Sequence, residues 1–434
     1  MLSNLMALLV PITMAGMTTT YNRGTQIVQI PTSGATEVCV IPKKFPEAKY
    51  SKRDIEKEQE LCSFGGTEPV AFCPKTASTN PGVQFHMVPE GMTAAQVEAK
   101  TCQLDGAKML AKYKGSTSCS YTPSLVGYYH VSRILGDILQ VPPAVLRTMD
   151  LKKHQQLAAK GMSITKSGSL IWQTWDSYAK KLAAGSAGKY KDEVLTSDFK
   201  QSYAALQENP RNEERYTEMF NGGADTQERA IRFGARNPIY ALLKDGRSVN
   251  QLVGNSFTVA NAQKLQQMKD VSELIVMDTI MNQHDRFGNV HFTMKYFYKD
   301  PNDAQNIKST SKMKPEEVRQ TGAIALKAMM LKDNDCGVSK GNVVKGAKLA
   351  EGLRHMNQGT YTRLMKFNAA MENEETRKFF KDETLMTDAD LKSIKGNLNQ
   401  LAAMLKKFCQ AGTLKLDLDM DVQFAGKPLS QNCE

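Results

Sequence analysis

The 434-residue sequence lacks several features that would each point to a particular class of protein. None of its eight cysteines stands in a Cys-x-x-Cys pair, which argues against a structural zinc site. No stretch beyond the N-terminus is apolar enough to span a membrane. Basic residues give a net charge of +11 but form no run interleaved with aromatics, so we expect acidic partners and no specific nucleic-acid binding.

The N-terminus resembles the apolar part of a secretory signal. Residues 1–20 contain no acidic residue, are too short to cross a bilayer, and place the small residues Ala15 and Gly16 near a possible cleavage point. A buried N-terminal helix is the alternative. The even number of cysteines favours disulfides in an oxidising compartment, and together these features predict a secreted or extracytoplasmic protein.

The rest of the chain divides into three parts by composition. We predict an irregular extension over 21–90, with short strands such as Gln26–Ile30 and Glu37–Ile41. A smaller, strand-containing lobe follows over 91–150, where Asp105-Gly106 indicates a hairpin turn and a helix through the Ala-rich part is the alternative. Residues 151–434 form a mainly helical lobe. With 41% apolar and 23% charged residues, the composition is that of a globular protein with room for such lobes.

Local patterns refine this division. The segment from Thr122 has helical spacing, with Pro123 suited to the first turn, and it runs to Gly136 before an extended Val141-Pro142-Pro143. Residues 150–270, including 196–209, are predicted to be largely helical. The alternating pattern predicts strands at 291–298 and in the tail at 414–424. Residues 299–321 are polar and predict a surface loop.

Two apolar segments end in clusters of acids and amides. The first, 274–292, reads LIVMDTIMNQHDRFGNVHF before it continues as a strand, and the second, 329–338, reads MMLKDNDCGV. Carboxylate and amide oxygens are the ligands that Mg²⁺ and Mn²⁺ accept, and a separate carboxylate can take a proton from an attacking hydroxyl. The two segments together therefore predict a site for a divalent cation and a triphosphate.

These motifs resemble the secretory-pathway kinases of the Golgi casein kinase and four-jointed type, and more distantly HipA-like and phosphoinositide-kinase-like enzymes. The resemblance is carried by the helix YYHVSRILG, by VPPAV after it, and by the later Asn…Asp-Arg…Asn and Asp-Asn loops. It implies an α+β, two-lobed protein-kinase-like fold, with a small strand-containing N-lobe and a mainly helical C-lobe.

The resemblance also implies roles for individual residues, with ATP and Mg²⁺ or Mn²⁺ as cofactors. Asp285 matches the catalytic aspartate, and Lys112, with Arg286 beside the catalytic loop, is expected at the nucleotide. The implied metal-binding residues are Asn289 and Asp333, with Asp335 as a rival or second ligand.

The sequence departs from the family pattern at three places, one of which is Phe287, where many relatives have histidine. The helix from Thr122 carries no acid before Asp137, so the lysine lacks the glutamate that relatives place there. The spacing from Asn282 puts His284 where the catalytic aspartate is expected and Asp285 one place later.

The resulting hypothesis is an exported atypical kinase that moves the γ-phosphoryl group of ATP to a hydroxyl, with protein Ser or Thr as the expected acceptor. The departures keep open a pseudokinase or nucleotide-binding regulator, and transfer of AMP on the same fold is a lesser alternative. The sequence does not give the oligomeric state.

Overall fold

The computed structural model describes residues 24, 26–32, 34–77, 80–220, 226–338 and 341–434. The signal peptide predicted at 1–20 lies outside them. The strands are β1 (Gln26–Ile30), β2 (Glu37–Ile41), β3 (Val70–Pro74), β4 (Val83–Met87), β5 (Met109–Lys114), β6 (Ala144–Asp150), β7 (Gln201–Glu208), β8 (Glu214–Arg215), β9 (His291–Asp300), β10 (Asp303–Thr310) and β11 (Ile324–Met330).

The helices occupy most of the remaining chain. They are α1 (Lys52–Ser63), α2 (Ala94–Ala99), α3 (Thr122–Ile134), α4 (Leu151–Ile164), α5 (Leu170–Ala183), α6 (Lys191–Val194), α7 (Thr226–Arg236), α8 (Pro238–Leu243), α9 (Val249–Val253), α10 (Val259–Ile280), α11 (Pro315–Thr321), α12 (Val343–Gly346), α13 (Gln358–Ala370), α14 (Glu374–Thr384), α15 (Asp388–Gln410) and α16 (Met420–Ala425). The described residues contain no helix long and apolar enough to cross a membrane.

The chain forms two compact units. The first comprises the described residues of Met1–Lys43 with Ile55–Thr122 and Ala144–Asn209. The second comprises Lys44–Asp54, Pro123–Pro143 and Pro210–Glu434. Strands dominate the first unit and helices the second, so the predicted α+β class, with an antiparallel sheet in the N-terminal part and a mainly helical C-terminal region, is confirmed.

The first unit is built on a seven-stranded antiparallel sheet in the order β1-β2-β6-β7-β5-β4-β3. One face is apolar and carries Phe85 and Tyr113, whose rings stack with centroids 6.5 Å apart. Disulfides join Cys39 to Cys62 and Cys73 to Cys102 within this unit, so part of the sheet is covalently fixed. A third disulfide, in the second unit, joins Cys409 to Cys433, and no cysteine of the described residues is free.

The structure corrects the predicted domain boundaries. The segment predicted as an irregular extension, 21–90, contributes β1 to β4, and the two short apolar pieces named in it are β1 and β2. The segment 196–209, predicted as a helix, contains β7, which lies between β5 and β6 and is buried on both faces. Burial on both faces hides the two-residue alternation of a strand. The first unit therefore runs to Asn209, not to 150.

The second unit is organised around α10, whose residues from Asp270 to Ile280 are all buried. The hydroxyl of Thr258 caps its start by accepting from the amide of Asn261. A helix that is buried on all sides belongs in the core, and α10 packs against β11, α15 and α8. The small sheet beside it has the order β10-β9-β11, with β8 also paired to β9.

Two further predictions for the second unit fail. The polar segment 299–321, predicted as a loop, forms β10 and α11, because its exposed strand needs only the pairing with β9. The alternating tail at 414–424 makes isolated bridges from Lys415 to His355 and from Asp417 to Asn357, and then turns into α16. By contrast, β9 lies where the alternation predicts a strand, and β11 leads into the second apolar segment.

Candidate active site

Two loops of the second unit hold the predicted acids. The Asp285 loop, residues 281–290, connects α10 to β9, and the Asp335 loop, residues 331–338, follows β11. Because β9 and β11 are antiparallel neighbours, with His291 paired to Met330, the start of one strand lies beside the end of the other. The register of this pair therefore brings the two loops together.

Backbone hydrogen bonds hold the two loops in contact. The amide of His284 donates to the carbonyl of Cys336 at 2.9 Å, and the amide of Val338 donates to the carbonyl of Met281 at 2.6 Å. Asn282 and Asp333 both have left-handed backbones, with φ of 52° and 56°. Such conformations are costly for residues other than glycine and are typical of constrained functional segments.

A buried ion pair stabilises both loops. The guanidinium of Arg286 donates from Nε to Asp278 Oδ2 at 2.8 Å and from Nη2 to Oδ1 at 3.0 Å. Nη2 also donates to Asn334 Oδ1 at 2.6 Å, and Nη1 donates to the carbonyl of Lys332 at 3.2 Å. On the other side, the Tyr128 hydroxyl donates to Asp278 at 2.8 Å. One arginine thus ties α10 to the Asp335 loop.

This geometry disagrees with the expectation that Arg286 contacts nucleotide. Its side chain is fully buried, and its donors are used by Asp278, Asn334 and the Lys332 carbonyl. A guanidinium in such a fork is held rigidly and offers no surface to a phosphate. Arg286 is therefore a positioning residue in this structure.

Asp285 sits between an amide and a second acid. Asn289 Nδ2 donates to the carboxylate of Asp285 at 3.1 Å and to its carbonyl at 3.2 Å. Burial raises the pKa of Asp285, the charge of Arg229 opposes this rise, and the charge of Asp335 adds to it. A carboxylate with a raised pKa accepts a proton more readily than an ordinary aspartate, which suits a general base.

The two candidate metal-binding aspartates of the second loop have different surroundings. Asp335 is buried, and its charge acts on Asp285. Asp333 is partly exposed, and its charge acts on His291, whose pKa burial lowers to about 4 against the opposing effect of Asp333. The structure thus brings Asp285, Asn289 and Asp335 together and places Asp333 on the side of His291.

The oxygen atoms around Asp285 are of the type that a hard cation binds, but they are few. No group of three His, Cys, Asp or Glu side chains suited to a metal occurs in the part of the chain that the structure describes. Asn289 uses its Nδ2 for Asp285, which leaves its Oδ1 able to serve as a ligand beside the carboxylate of Asp335. Mg²⁺ is commonly held by one or two protein oxygens, with phosphate and water completing the shell.

The predicted phosphate lysine lies in the first unit. Lys112 pairs with Gln84 of β4 and Gln207 of β7, and paired residues of antiparallel strands project from the same face. Lys114 is two residues further along the same face and is buried. The face opposite the apolar core therefore carries a polar row of Gln84, Lys112 and Gln207.

The sequence did not single out two further charged residues, one beside Asp285 and one buried in the first unit. Arg229 of α7 donates from Nη1 to the carbonyl of Phe287 at 3.2 Å, and its charge acts on Asp285. Glu58 of α1 is a buried acid of the first unit, on the helix that ends near Cys62. Neither has a sequence signal, because both lie in charged helices that read as solvent-facing.

Comparison with known proteins gives a limited likeness. No family model matches the sequence, and no curated protein matches it significantly. A crystal structure of the Golgi casein kinase with Mn and ADP bound is similar with a TM-score of 0.43 and 10% identity, over 82% of this chain and 76% of that chain. A second structure of the Golgi casein kinase gives the same TM-score and identity, over 82% and 75%. Both are of the kinase type that the sequence motifs resemble.

Proposed function

We propose that this protein transfers a phosphoryl group from a nucleoside triphosphate to a hydroxyl, with ATP as donor and protein Ser or Thr as acceptor. The observation that carries the proposal is the convergence of Asp285, Asn289 and Asp335 on two loops that Arg286 locks together. Phosphoryl transfer needs positioning and charge stabilisation more than covalent chemistry, and a rigid cluster of oxygen ligands beside a basic carboxylate supplies both.

Each residue then has a defined task. Asp285 orients the acceptor hydroxyl and takes its proton, which its raised pKa favours. Asp335 and the Oδ1 of Asn289 would hold Mg²⁺ or Mn²⁺, with Asp333 as the alternative carboxylate. The cation, when bound, neutralises charge on the phosphates. Lys112, in the polar row of the first unit, is the residue that the resemblance assigns to the phosphates.

A second function is favoured by one specific observation. The described residues supply no three-carboxylate metal group, so cation binding depends on the nucleotide that arrives with it. A site that binds nucleotide weakly through such a cation suits a pseudokinase or nucleotide-binding regulator. Transfer of AMP remains a lesser alternative, and it is distinguished by label from α-³²P rather than γ-³²P ATP appearing in the product.

We propose that the protein is exported to an oxidising, extracytoplasmic compartment. All eight cysteines lie in the described residues and are disulfide-bonded, which is typical of oxidising compartments. Secretion of the full chain, with loss of residues near 1–20, can be tested by N-terminal sequencing of the protein recovered from a secretory host.

Thermal unfolding with and without ATP and Mn²⁺ tests the cation assignment. Binding at one hundred times Kd stabilises the folded state by about 2.7 kcal/mol, and we expect Asp335→Ala to abolish the ATP-dependent shift of Tm. Asp333→Ala is the second arm, which decides between the two aspartates. Asp382→Ala, in a surface pair with Lys378, is the matched control and should leave the shift unchanged. A shift that survives both loop variants would contradict the cation site.

A further inference from the structure

A separate cavity of about 650 Å³ lies in the second unit. Its described walls come from α10, β9, β11, the segment 135–140 and the start of α13, and its lining includes none of Asp285, Asn289, Asp333 and Asp335. Cavities of this size hold small organic molecules. The site therefore has room for a ligand that the proposed phosphotransfer does not use.

Four cationic side chains reach this cavity without a bonded partner. They are Lys49, Lys269, Lys295 and Arg363. Among the described residues, none of these side chains makes a hydrogen bond or a salt bridge. Lys269 and Lys295 are half-buried and interact with acids only through space: the charge of Glu273 raises the pKa of Lys269, and burial lowers the pKa of Lys295 against the charge of Asp137. The cavity thus presents charged hydrogen-bond donors that no described residue accepts from.

The two deepest acids of the cavity are, by contrast, already engaged. Asp270 accepts from the amide of Met329 at 2.9 Å and from Gln266 Nε2 at 2.8 Å. Glu273 accepts from the Thr360 hydroxyl at 2.8 Å. Burial raises the pKa of Asp270 to about 7 and raises that of Glu273 as well. Near pH 7 Asp270 is therefore partly protonated, which reduces the negative charge of the cavity.

The two outer acids are also engaged. Asp137 forms an ion pair with Arg133 at 3.1 Å, and Asp419 accepts from the amide of Asp421 at 2.8 Å. These bonds do not remove the charge of the carboxylates, which acts through space on Lys269 from Asp419 and on Lys295 from Asp137, but neither acid forms a salt bridge with Lys49 or Arg363. The balance of free hydrogen-bonding groups in the cavity consequently favours an anionic ligand.

One wall of the cavity is conformationally strained. Asp137, Leu139 and Gln140 have left-handed backbones, with φ of 63°, 60° and 44°. Gly136 has φ of +109°, and a Cβ there would lie 3.1 Å from Cδ and Nε of Arg363. The glycine thus allows Arg363 to lie across the wall. Strain of this kind persists only where surrounding structure holds it, as it does at ligand sites.

We propose that this cavity binds a small organic anion, through a phosphate or carboxylate group held by Lys269, Lys295 and Arg363. Hydroxyl and amide groups that also line it, such as those of Ser309, Thr360 and Asn357, suit a polar body on the ligand. Charged donors and an oxyanion form the stronger class of hydrogen bonds, and bidentate binding by the arginine adds direction. The site is an expected point of regulation that is independent of phosphotransfer.

Calorimetric titration of the full chain with inorganic phosphate and with citrate tests the proposal. We expect saturable binding of one of the two probes, which identifies the phosphate or the carboxylate as the recognised group. Lys269→Met should weaken that binding at least tenfold, and Arg363→Gln, at a half-buried position, should weaken it severalfold. If Lys269→Met fails to fold by circular dichroism, Arg363→Gln alone decides the question.

The matched control is Lys264→Met, which lies on the same helix outside the cavity and should bind as the wild type does. Absence of saturable binding of both probes to the wild type would overturn the proposal. So would equal weakening by Lys264→Met and Lys269→Met, since that would indicate a general effect of charge.

The pH dependence of sulfate binding provides a second test, because sulfate keeps its charge over the range used. Protonation of Asp270 makes the cavity more positive, so affinity should increase from pH 8 to pH 6. The charged groups that face Asp270 across the cavity, and share in this titration, are Lys49, Asp137, Lys269, Glu273, Lys295, Arg363 and Asp419. An affinity that falls over this range would contradict the assignment.

Discussion

Two regions of the second unit contain buried acids, but each surrounds its acids with a different kind of group. At the two loops, Asp285 faces a second acid, Asp335, and the amide of Asn289. In the cavity, Asp270 and Glu273 are satisfied by hydrogen bonds and lie among lysines without bonded partners. The first arrangement suits a cation and the second an anion. Burial of acids alone therefore does not reveal what a site binds, whereas the unsatisfied groups do.

The largest expected effect comes from breaking the buried ion pair between Arg286 and Asp278, which supports the two loops. Arg286→Met leaves Asp278 buried without its ion-pair partner, which costs about 3–5 kcal/mol of unfolding free energy. Arg319→Met removes an exposed pair with Glu316 and should cost at most about 1 kcal/mol. Urea unfolding of both variants measures the difference. Equal stabilities would mean that the buried pair does not hold the loops.

A smaller loss is expected where the loops approach each other most closely. A Cβ at Gly337 would lie 2.6 Å from Ser124 Oγ and 2.9 Å from the carbonyl of Met281. Gly337→Ala should therefore destabilise the protein by about 1–3 kcal/mol and weaken nucleotide-dependent stabilisation. Gly396→Ala, in open space within α15, should stabilise it by about 0.5–1 kcal/mol. Unfolding curves that rank the two variants in reverse would contradict this packing.

The pH dependence of stability distinguishes the cavity acids from ordinary ones. The pKa of Asp270 is raised to about 7 by burial, so the folded state holds a proton that the unfolded state releases near pH 4. Stability supplied by this group is complete at low pH and is lost as the pH rises through 7. Compared with Asp270→Asn, the wild type should lose up to about 2 kcal/mol between pH 5 and 7. Parallel pH profiles would show that Asp270 has an ordinary pKa.

The smallest expected effect is on the pH dependence of activity, through the pKa of Asp285. Asp335 raises the pKa of Asp285 by its charge, in addition to the larger effect of burial. Asp335→Asn should therefore move the acidic limb of the activity profile to lower pH. If activity is too low to profile, ¹³C NMR of the Asp285 carboxyl measures the same change. A shift to higher pH would remove Asp335 from the surroundings of Asp285.

Much of the second unit could be predicted from the sequence because its signals are local. The alternation in β9, the apolar run of β11 and the polar loop next to each strand can each be recognised from consecutive residues. Convergence of the two loops then follows from pairing of neighbouring strands. The sequence did not predict the partner of Arg286. Asp278 looks like one more residue of an apolar helix, and yet it forms the ion pair with Arg286.

The features that the sequence did not predict correctly share a physical cause. The segment of β7 shows helical spacing, but its place in the centre of the sheet buries both faces and overrides that pattern. The lysines of the cavity read as ordinary surface charges, because nothing in sequence tells which of them converge after folding. Contacts between residues far apart in the sequence decide both cases, and local patterns carry no information about them.

Transfer of label from γ-³²P ATP in the presence of Mn²⁺ tests the central claim most directly. We expect the wild type to label an acidic or basic acceptor protein and Asp285→Asn to lower the rate by about 10²–10⁴-fold. The stabilisation by ATP and Mn²⁺ should meanwhile be retained, and Asp382→Asn should transfer label at the wild-type rate. Undiminished transfer by Asp285→Asn would contradict the assignment of the base. Nucleotide binding without any transfer by the wild type would instead establish the regulator.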